Sequence, residues 1–261
     1  MKLLESLDQI DQSTKDAFVV HEKFERWYDI HSHNRDQLSY VEDGVAYITI
    51  EGEYLVVPAR HFLWIPAHVK HELKVSHSAT QLHSFYFKRL EGEFYQRIGI
   101  YPASNLIIEL IKFSEIWTNQ FINYTETHGQ VLSTLLNLLP FASNHQIKLQ
   151  LPTSEHPKIK NITNYIHEQF YTNLTLNELT EKFNMSERTF CRLFKKELHT
   201  TFIQYLKTYR IIQAISMLQQ QKDSSIEEIA NATGYESIAA FSNIFLEYTG
   251  MRPSQMRKII T

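Results

Sequence analysis

Residues 185–196 read MSERTFCRLFKK, and residues 237–248 read SIAAFSNIFLEY. Each stretch follows a short apolar helical pattern and a turn, and together the two units set the architecture of the last hundred residues. In the first, Leu176 to Phe183 is predicted to be a helix with Leu176, Leu179 and Phe183 on one side. Asn184-Met185 supplies the turn, and Ser186 is a suitable N-cap for a second helix through Leu198. Within that helix Phe190, Leu193, Phe194 and Leu198 fall on one face, at the spacing of a buried stripe. The opposite face carries Arg188, Cys191, Arg192 and Lys195, flanked by Thr189 and Lys196. That face is basic and rich in hydrogen-bond donors, as a helix laid in the major groove of DNA requires.

The second unit repeats the plan. Ile226 to Ala232 is predicted as a short helix, Gly234 sits where a left-handed residue would turn the chain, and Ser237 can cap the next helix. Phe241, Ile244, Phe245 and Tyr248 form its buried stripe, while Ile238, Ala239, Ser242, Asn243 and Leu246 face outward with no positive charge. Phe202 to Gln220 reads as one long helix between the units, with Tyr205, Ile212, Ile215 and Leu218 packing inward. If both reading helices enter adjacent major grooves, their centres lie about 34 Å apart on one face of the duplex.

Residues 158–261 closely resemble the AraC/XylS family of bacterial transcription regulators. The resemblance rests on Leu174-Thr-Leu-Asn-Glu-Leu, on the whole of residues 185–196, and on Tyr209-Arg-Ile with Ala214 and Leu218. It continues through Ile226-Glu-Glu-Ile-Ala, Thr233-Gly-Tyr-Glu-Ser, Phe241-Ser-Asn-Ile-Phe and Gly250-Met-Arg-Pro-Ser-Gln-Met-Arg. It implies double-stranded DNA as partner, with Arg188, Cys191 and Arg192, then Ile238, Ala239, Ser242 and Asn243, facing the bases. RNA polymerase is the further partner it implies, and activation is the commoner outcome in the family. Where many members carry Gln or Arg in the second reading helix, this chain has Ala239 and Asn243. Readout there would rest on Asn243 to adenine and on apolar contact with thymine methyls.

Length and charge fit two domains. The chain has 261 residues and a net charge of −3. Residues 1–157 hold 13 Lys and Arg against 19 Asp and Glu, giving −6, whereas residues 158–261 hold 13 against 10, giving +3. The basic excess lies in the DNA-binding half. A single cysteine excludes a disulfide framework and fits a reducing, cytoplasmic setting. No apolar run approaches the ~20 residues needed to span a bilayer, and no signal-peptide pattern opens the chain.

From Phe24 to Phe87 the chain offers short β-rich runs, among them residues 37–41, 45–50, 54–57, 62–65, 72–75 and 82–87. Turn signals at residues 42–44 and 51–53 separate them at the spacing of a small antiparallel barrel. This stretch resembles the cupin-type sensory barrel of many AraC-type regulators, through His31-Ser-His33, Gln37, Gly44, Pro58, Trp64-Ile-Pro66 and His71. The expected fold is therefore α+β and multidomain. A cupin-like antiparallel β-barrel (1–102) is followed by a helical dimerisation or covering segment (103–140), a linker (141–157) and an all-α DNA-binding domain (158–261). The two helix-turn-helix units of that domain span 174–198 and 226–249.

His31 and His33 stand two apart, so on a strand both would look to one face. In metal-binding cupins the pattern HxH, then Glu, then a later His gathers four ligands inside the barrel. Here His31, His33 and His71 would suit a divalent transition metal, but Gln37 replaces the carboxylate. The same residues also read as the polar part of an organic-ligand pocket, with Tyr47, Trp64 and other aromatics as lining. In the helical segment Leu106, Ile107, Leu110, Ile111 and Ser114 make one stripe, and Leu135 and Leu139 are the candidates for a homodimer contact. The expected protein is a cytoplasmic, dimeric, effector-responsive transcription regulator with no enzymatic activity. Two alternatives stand beside it: a cupin metal-dependent enzyme with a DNA-binding tail, and a constitutive regulator whose barrel only dimerises.

Overall fold

The computed structural model describes residues 3–23, 27–75, 81–142, 146–147 and 149–260. Phe24, where the β-rich stretch was expected to open, lies outside them, as do residues 143–145 and 148 of the expected linker. In chain order the elements begin with α1 (Leu3–Gln12), β1 (Ala17–Lys23), β2 (Trp27–His31), β3 (Arg35–Val41), β4 (Val45–Ile50) and β5 (Glu53–Pro58). Next come β6 (His61–Ile65), β7 (His71–Val75), β8 (Gln81–Lys88), β9 (Gly99–Pro102), α2 (Asn105–Phe113), β10 (Gln120–Ile122) and α3 (Thr127–Ala142). After β11 (Gln150–Pro152) the chain is helical: α4 (Pro157–Gln169), α5 (Leu176–Lys182), α6 (Glu187–Leu198), α7 (Phe202–Gln220), α8 (Ile226–Ala232), α9 (Ile238–Thr249) and α10 (Pro253–Ile260).

The chain divides into two compact units, residues 3–51 with 57–147, and residues 52–56 with 149–260. In the first, an antiparallel sheet runs β10-β1-β8-β3-β6-β9, and β4, β7 and β2 form a second ladder. Period-2 alternation sorts the strands into two faces. Val19, Leu38, Tyr40, Phe62, Trp64, Phe85 and Phe87 face one way and pack under Ile107, Ile108, Ile111, Leu132, Leu135 and Leu139 of α2 and α3. The intervening residues, Gln37, Ser39, Ile65, Ser84 and Tyr86 among them, line the interior between the two ladders. Arg35, 2% exposed, fixes α1 to this unit by donating to the carbonyls of Ile10, Ser13, Lys15 and Asp16 at the helix end.

Two expectations about the helical segment need correction. Leu135 and Leu139 are fully buried in the first unit's core and offer nothing to a partner. The buried stripe of α2 is Ile107, Ile108 and Ile111, followed by Ser114, whereas Leu106 is 57% exposed. Five apolar residues crowd six positions there, so sequence leaves the helix free to rotate by one residue about its axis.

In the second unit β11, inside the stretch expected as a linker, pairs antiparallel with β5, setting Gln150 opposite Leu55 and Pro152 opposite Glu53. The helices start as the sequence dictates. Thr175, Ser186, Thr201, Ser225 and Ser237 cap α5 to α9, and Thr175–Glu178 and Ser225–Glu228 close full capping boxes. Tyr205, Leu206, Ile211, Ile212, Ile215 and Leu218 bury α7 as the spine between the two helix-turn-helix units.

Candidate functional site

On α6, Phe190, Phe194 and Leu198 are buried while Arg188, Thr189, Cys191, Arg192, Lys195 and Lys196 are all exposed. Asn184, at φ 49°, makes the turn that swings α6 away from α5, a conformation Asn tolerates. Neither Arg188 nor Arg192 is held by another side chain among the described residues, so both are available to base edges and phosphates. Lys196 is paired with Glu197 at 3.2 Å.

On α9, Ile238, Ala239 and Asn243 are exposed and Ser242 is half-buried. The expectation of an uncharged face is incomplete. Gly250 ends α9 in the left-handed region at φ 71°, and the corner it makes brings Arg252 back against the helix. There Arg252 Nη1 donates to Asn243 Oδ1 at 3.0 Å. Because a guanidinium only donates, the contact fixes the carboxamide with its oxygen toward Arg252. Asn243 is thus pre-oriented, and Arg252 adds a cation to the second reading face. Sequence reasoning missed it because nine residues separate the pair and only the α9–α10 corner joins them.

Within the second unit, another arginine ties the two helix-turn-helix motifs together. Arg210 of α7 donates to Phe170 O at 2.7 Å and Thr172 O at 2.6 Å, and its guanidinium lies 5.5 Å from the centre of the Tyr235 ring. Gly234, at φ +80°, lets the second turn pass close by: a Cβ there would stand 2.7 Å from Arg210 Nη2 and 2.9 Å from Phe170 O.

The interior of the first unit gathers the predicted histidines. His31 and His71 sit directly opposite in the β2–β7 register, after a bulge between Tyr28 and His31 that re-aims the strand end. The His31 and His71 rings are 4.3 Å apart centre to centre, and His33 and His71 are 5.2 Å apart. Ligand atoms of all three lie within 4.8 Å of one another. Each ring spends Nδ1 on a backbone carbonyl: Asp29 O at 2.7 Å, Arg35 O at 2.7 Å and Val69 O at 2.9 Å. A carbonyl only accepts, so each Nδ1 carries a proton and the other nitrogen is the one able to bind a ligand.

Burial holds the His71 imidazole down at about 3, helped by the neighbouring His31, and burial lowers His33 as well. His33 Nε2 lies 2.8 Å from the Gln37 carboxamide oxygen, whose nitrogen donates to Ser39 Oγ at 2.8 Å. A neutral ring donates once, and His33 Nδ1 is already spent, so in that state the carboxamide turns its NH2 toward Nε2. His71 Nε2 is buried with no hydrogen-bond partner among the described residues. Four polar side chains thus converge, one of them with an orphaned lone pair.

The cavity beside them is small, about 10 Å³, the space of roughly one water. Its lining includes His31, Gln37, Ile48, Leu73 and Tyr86 and, among the described residues, no carboxylate. Two expected pocket residues stand elsewhere. Trp64 is fully buried on the opposite, helix-covered face, where its indole donates to Tyr95 O at 3.0 Å. Tyr47 alternates with Ala46 and Ile48 and is half-exposed outside that lining. The cavity is therefore lined mostly by polar and aliphatic side chains, with Tyr86 beside them, where the sequence suggested an aromatic pocket.

Residues 18–105 match the family described as AraC-like ligand binding domain, and residues 179–259 match a helix-turn-helix domain family. The chain belongs to the AraC family of transcription regulators. Its two units correspond to that family's ligand-binding and DNA-binding domains. The chain is 26% identical over 232 residues to the HTH-type transcriptional regulator NimR of Escherichia coli, covering 87% of this chain and 81% of NimR. It is 22% identical over 281 residues to the Msm operon regulatory protein of Streptococcus mutans, covering 100% and 99%. Among solved structures it is similar to the C-terminal domain of AraT, a response regulator from Geobacillus stearothermophilus, at 32% identity and TM-score 0.38, covering 39% of this chain and 84% of that one. No helix among the described residues is long and apolar enough to cross a membrane.

Proposed function

We propose that this AraC-family regulator is a cytoplasmic homodimer without enzymatic activity, whose DNA affinity is set by an effector held at His31, His33, Gln37 and His71. Each protomer lays α6 and α9 in adjacent major grooves of one duplex face. The exposed face of α6, with Arg188 and Arg192 free of intramolecular partners among the described residues, carries the reading. Duplexes selected from a random library and footprinted with hydroxyl radicals test it. Two protected major-groove patches about 10 bp apart per protomer support it, and a single patch refutes the two-helix arrangement.

The orphaned, buried Nε2 of His71 in a cavity too small for an organic molecule favours a divalent transition metal as effector. Three neutral imidazoles would hold the ion, with the Gln37 carboxamide oxygen completing the set. The backbone carbonyls on each Nδ1 supply the outer contacts that orient such ligands. Bound there, the ion brings positive charge and rigidity to the strand ends. The uncharged donor set, lacking the carboxylate of the two-histidine oxygenase sites, speaks against catalysis. Effector linkage is read from DNA affinity with Zn2+ and with chelator. A change lost in His71→Ala supports the metal reading. Insensitivity to Zn2+ with a response to an organic molecule replaces it, and insensitivity to both leaves a constitutive regulator.

A further inference from the structure

On the helix-covered face of the first unit, turned away from the cavity that the neighbouring Val20 and Ser84 line, a second polar cluster is buried among rings. His21 of β1 and His83 of β8 are direct cross-strand partners, and His83 is fully buried. Their Nδ1 atoms stand 2.7 Å apart. His21 Nε2 is 3.0 Å from Ser114 O, and 3.3 Å from Ser114 Oγ, whose own proton goes to Ile111 O. His83 Nε2 is 3.2 Å from Glu42 Oε2, and the Glu115 carboxylate approaches His83 Nδ1 at 3.9 Å. Lys112 Nζ holds the other Glu42 oxygen at 2.6 Å, and Gln81 Nε2 lies 3.4 Å from Glu115 Oε1.

The proton inventory of this cluster does not close with two neutral rings. Both Nε2 atoms face acceptors only, so both carry hydrogen. Each Nδ1 of a neutral ring is then bare, and two lone pairs point at each other across 2.7 Å. The Glu42 carboxylate stands behind the His83 ring, with Lys112 on its other oxygen. One positive charge in the slot between the two Nδ1 atoms would close the inventory, and ligand atoms of Glu42, His83 and Glu115 lie within 4.8 Å of one another.

We propose that His21 Nδ1, His83 Nδ1 and the Glu115 carboxylate bind a divalent transition metal of the Zn2+ class, with water in the fourth position. Ser114 O and the Glu42 carboxylate are the outer acceptors that fix both tautomers, the arrangement metal-ligating histidines favour. Two metal–nitrogen bonds of ~2.05 Å at a tetrahedral angle need nitrogens about 3.3 Å apart. The half-buried His21 ring therefore moves out by about 0.6 Å. Glu115, with 43% of its side chain exposed, gives the ion a route from solvent. The site joins β1 and β8 to the Ser114–Glu115 segment that follows α2, so the bound ion clamps that segment onto the sheet.

Zn2+ titrated against a competing chromophoric chelator into the stripped full-length chain tests the site. His21→Gln and Glu115→Gln each weaken one equivalent at least tenfold, whereas His71→Ala leaves that equivalent untouched. Glu115→Gln alters a half-exposed side chain and tests the site even where His21→Gln unfolds. In a His71→Ala background, Co2+ loading gives the intense visible bands of a tetrahedral site, which His21→Gln removes. The proposal is overturned if both variants match the unmutated chain, or if histidine 15N shifts show His83 doubly protonated in excess Zn2+, a proton then filling the slot. Because the cavity histidines are tested by His71→Ala, failure there and failure here remain separate results.

Discussion

Arg192 and Asn243 illustrate how unequal two residues on reading helices can be. Arg192 stands exposed on a cationic face, with its full donor fork free for a guanine edge. Asn243 shares its oxygen with Arg252, which orients the carboxamide but also occupies part of its acceptor capacity. Arg192→Ala should therefore cost ~1–3 kcal/mol and relax one operator position, more than any single change on α9. Equal losses for Arg192→Ala and Asn243→Ala across a panel of sites would refute that order. Arg252→Ala should flatten the preference read by Asn243 and lower the salt slope, the mark of a lost cation. A titrating residue lies behind the same domain. His167 stacks on Tyr209 at 4.0 Å and contacts Tyr205 Oη at 3.0 Å, and burial holds it down at about 4. An unfolded histidine titrates near ~6.5. The stabilising contribution of the neutral ring is thus whole above that value and drains as pH falls toward about 4. Melting temperatures of the chain and of His167→Gln should converge over that window, and a constant gap would sink the assignment.

At the scale of elements, what was legible in the sequence is what local chemistry decides. Ser186 and Ser237 announce α6 and α9, and the 3.6-residue spacing of their aromatic residues names the buried face before any tertiary contact is known. The barrel strands were readable for the same reason, since alternation is local. Alternation does not say which face is interior, so Trp64 suggested an aromatic pocket although α2 and α3 cover it. Nor does it pair residues far apart: His21 and His83 stand 62 positions apart and meet only through the β1–β8 register. The turn before α9 joins both kinds of information, because Gly234 was expected to adopt a left-handed conformation but its crowding by Arg210 was not visible. Gly234→Ala should destabilise the second unit by about 2 kcal/mol or more, from the conformational cost plus displacement of the Arg210 staple. Little change on denaturant unfolding would show that the turn relaxes freely.

For the whole molecule, the question is how a DNA-binding half with a net charge of only +3 holds a specific site. Weak nonspecific attraction is the consequence of that charge, and pairing two such halves is the remedy that geometry offers. With Leu135 and Leu139 buried, a run of exposed apolar residues on α2 and just after it is the surface to test for a second copy. Leu106 and Phe113 are 57% and 55% exposed, Leu110 lies between them on the same helical face, and Ile116 is 68% exposed. Spacing of i, i+4, i+7 makes the first three a continuous stripe. Leu106→Glu/Phe113→Glu places charge in that stripe without touching Ile107, Ile108 or Ile111, so the fold should survive and circular dichroism should not change. Light scattering should then report a monomer. Apparent affinity for a two-half-site operator should fall by roughly 10²–10⁴, because the second contact loses its effective concentration. Affinity for a single half-site should stay the same, since each DNA-binding unit is intact. If the double variant still scatters as a dimer, the pairing surface lies elsewhere; if it is monomeric yet keeps full operator affinity, each protomer reads its site alone and dimerisation is not what compensates for the low charge.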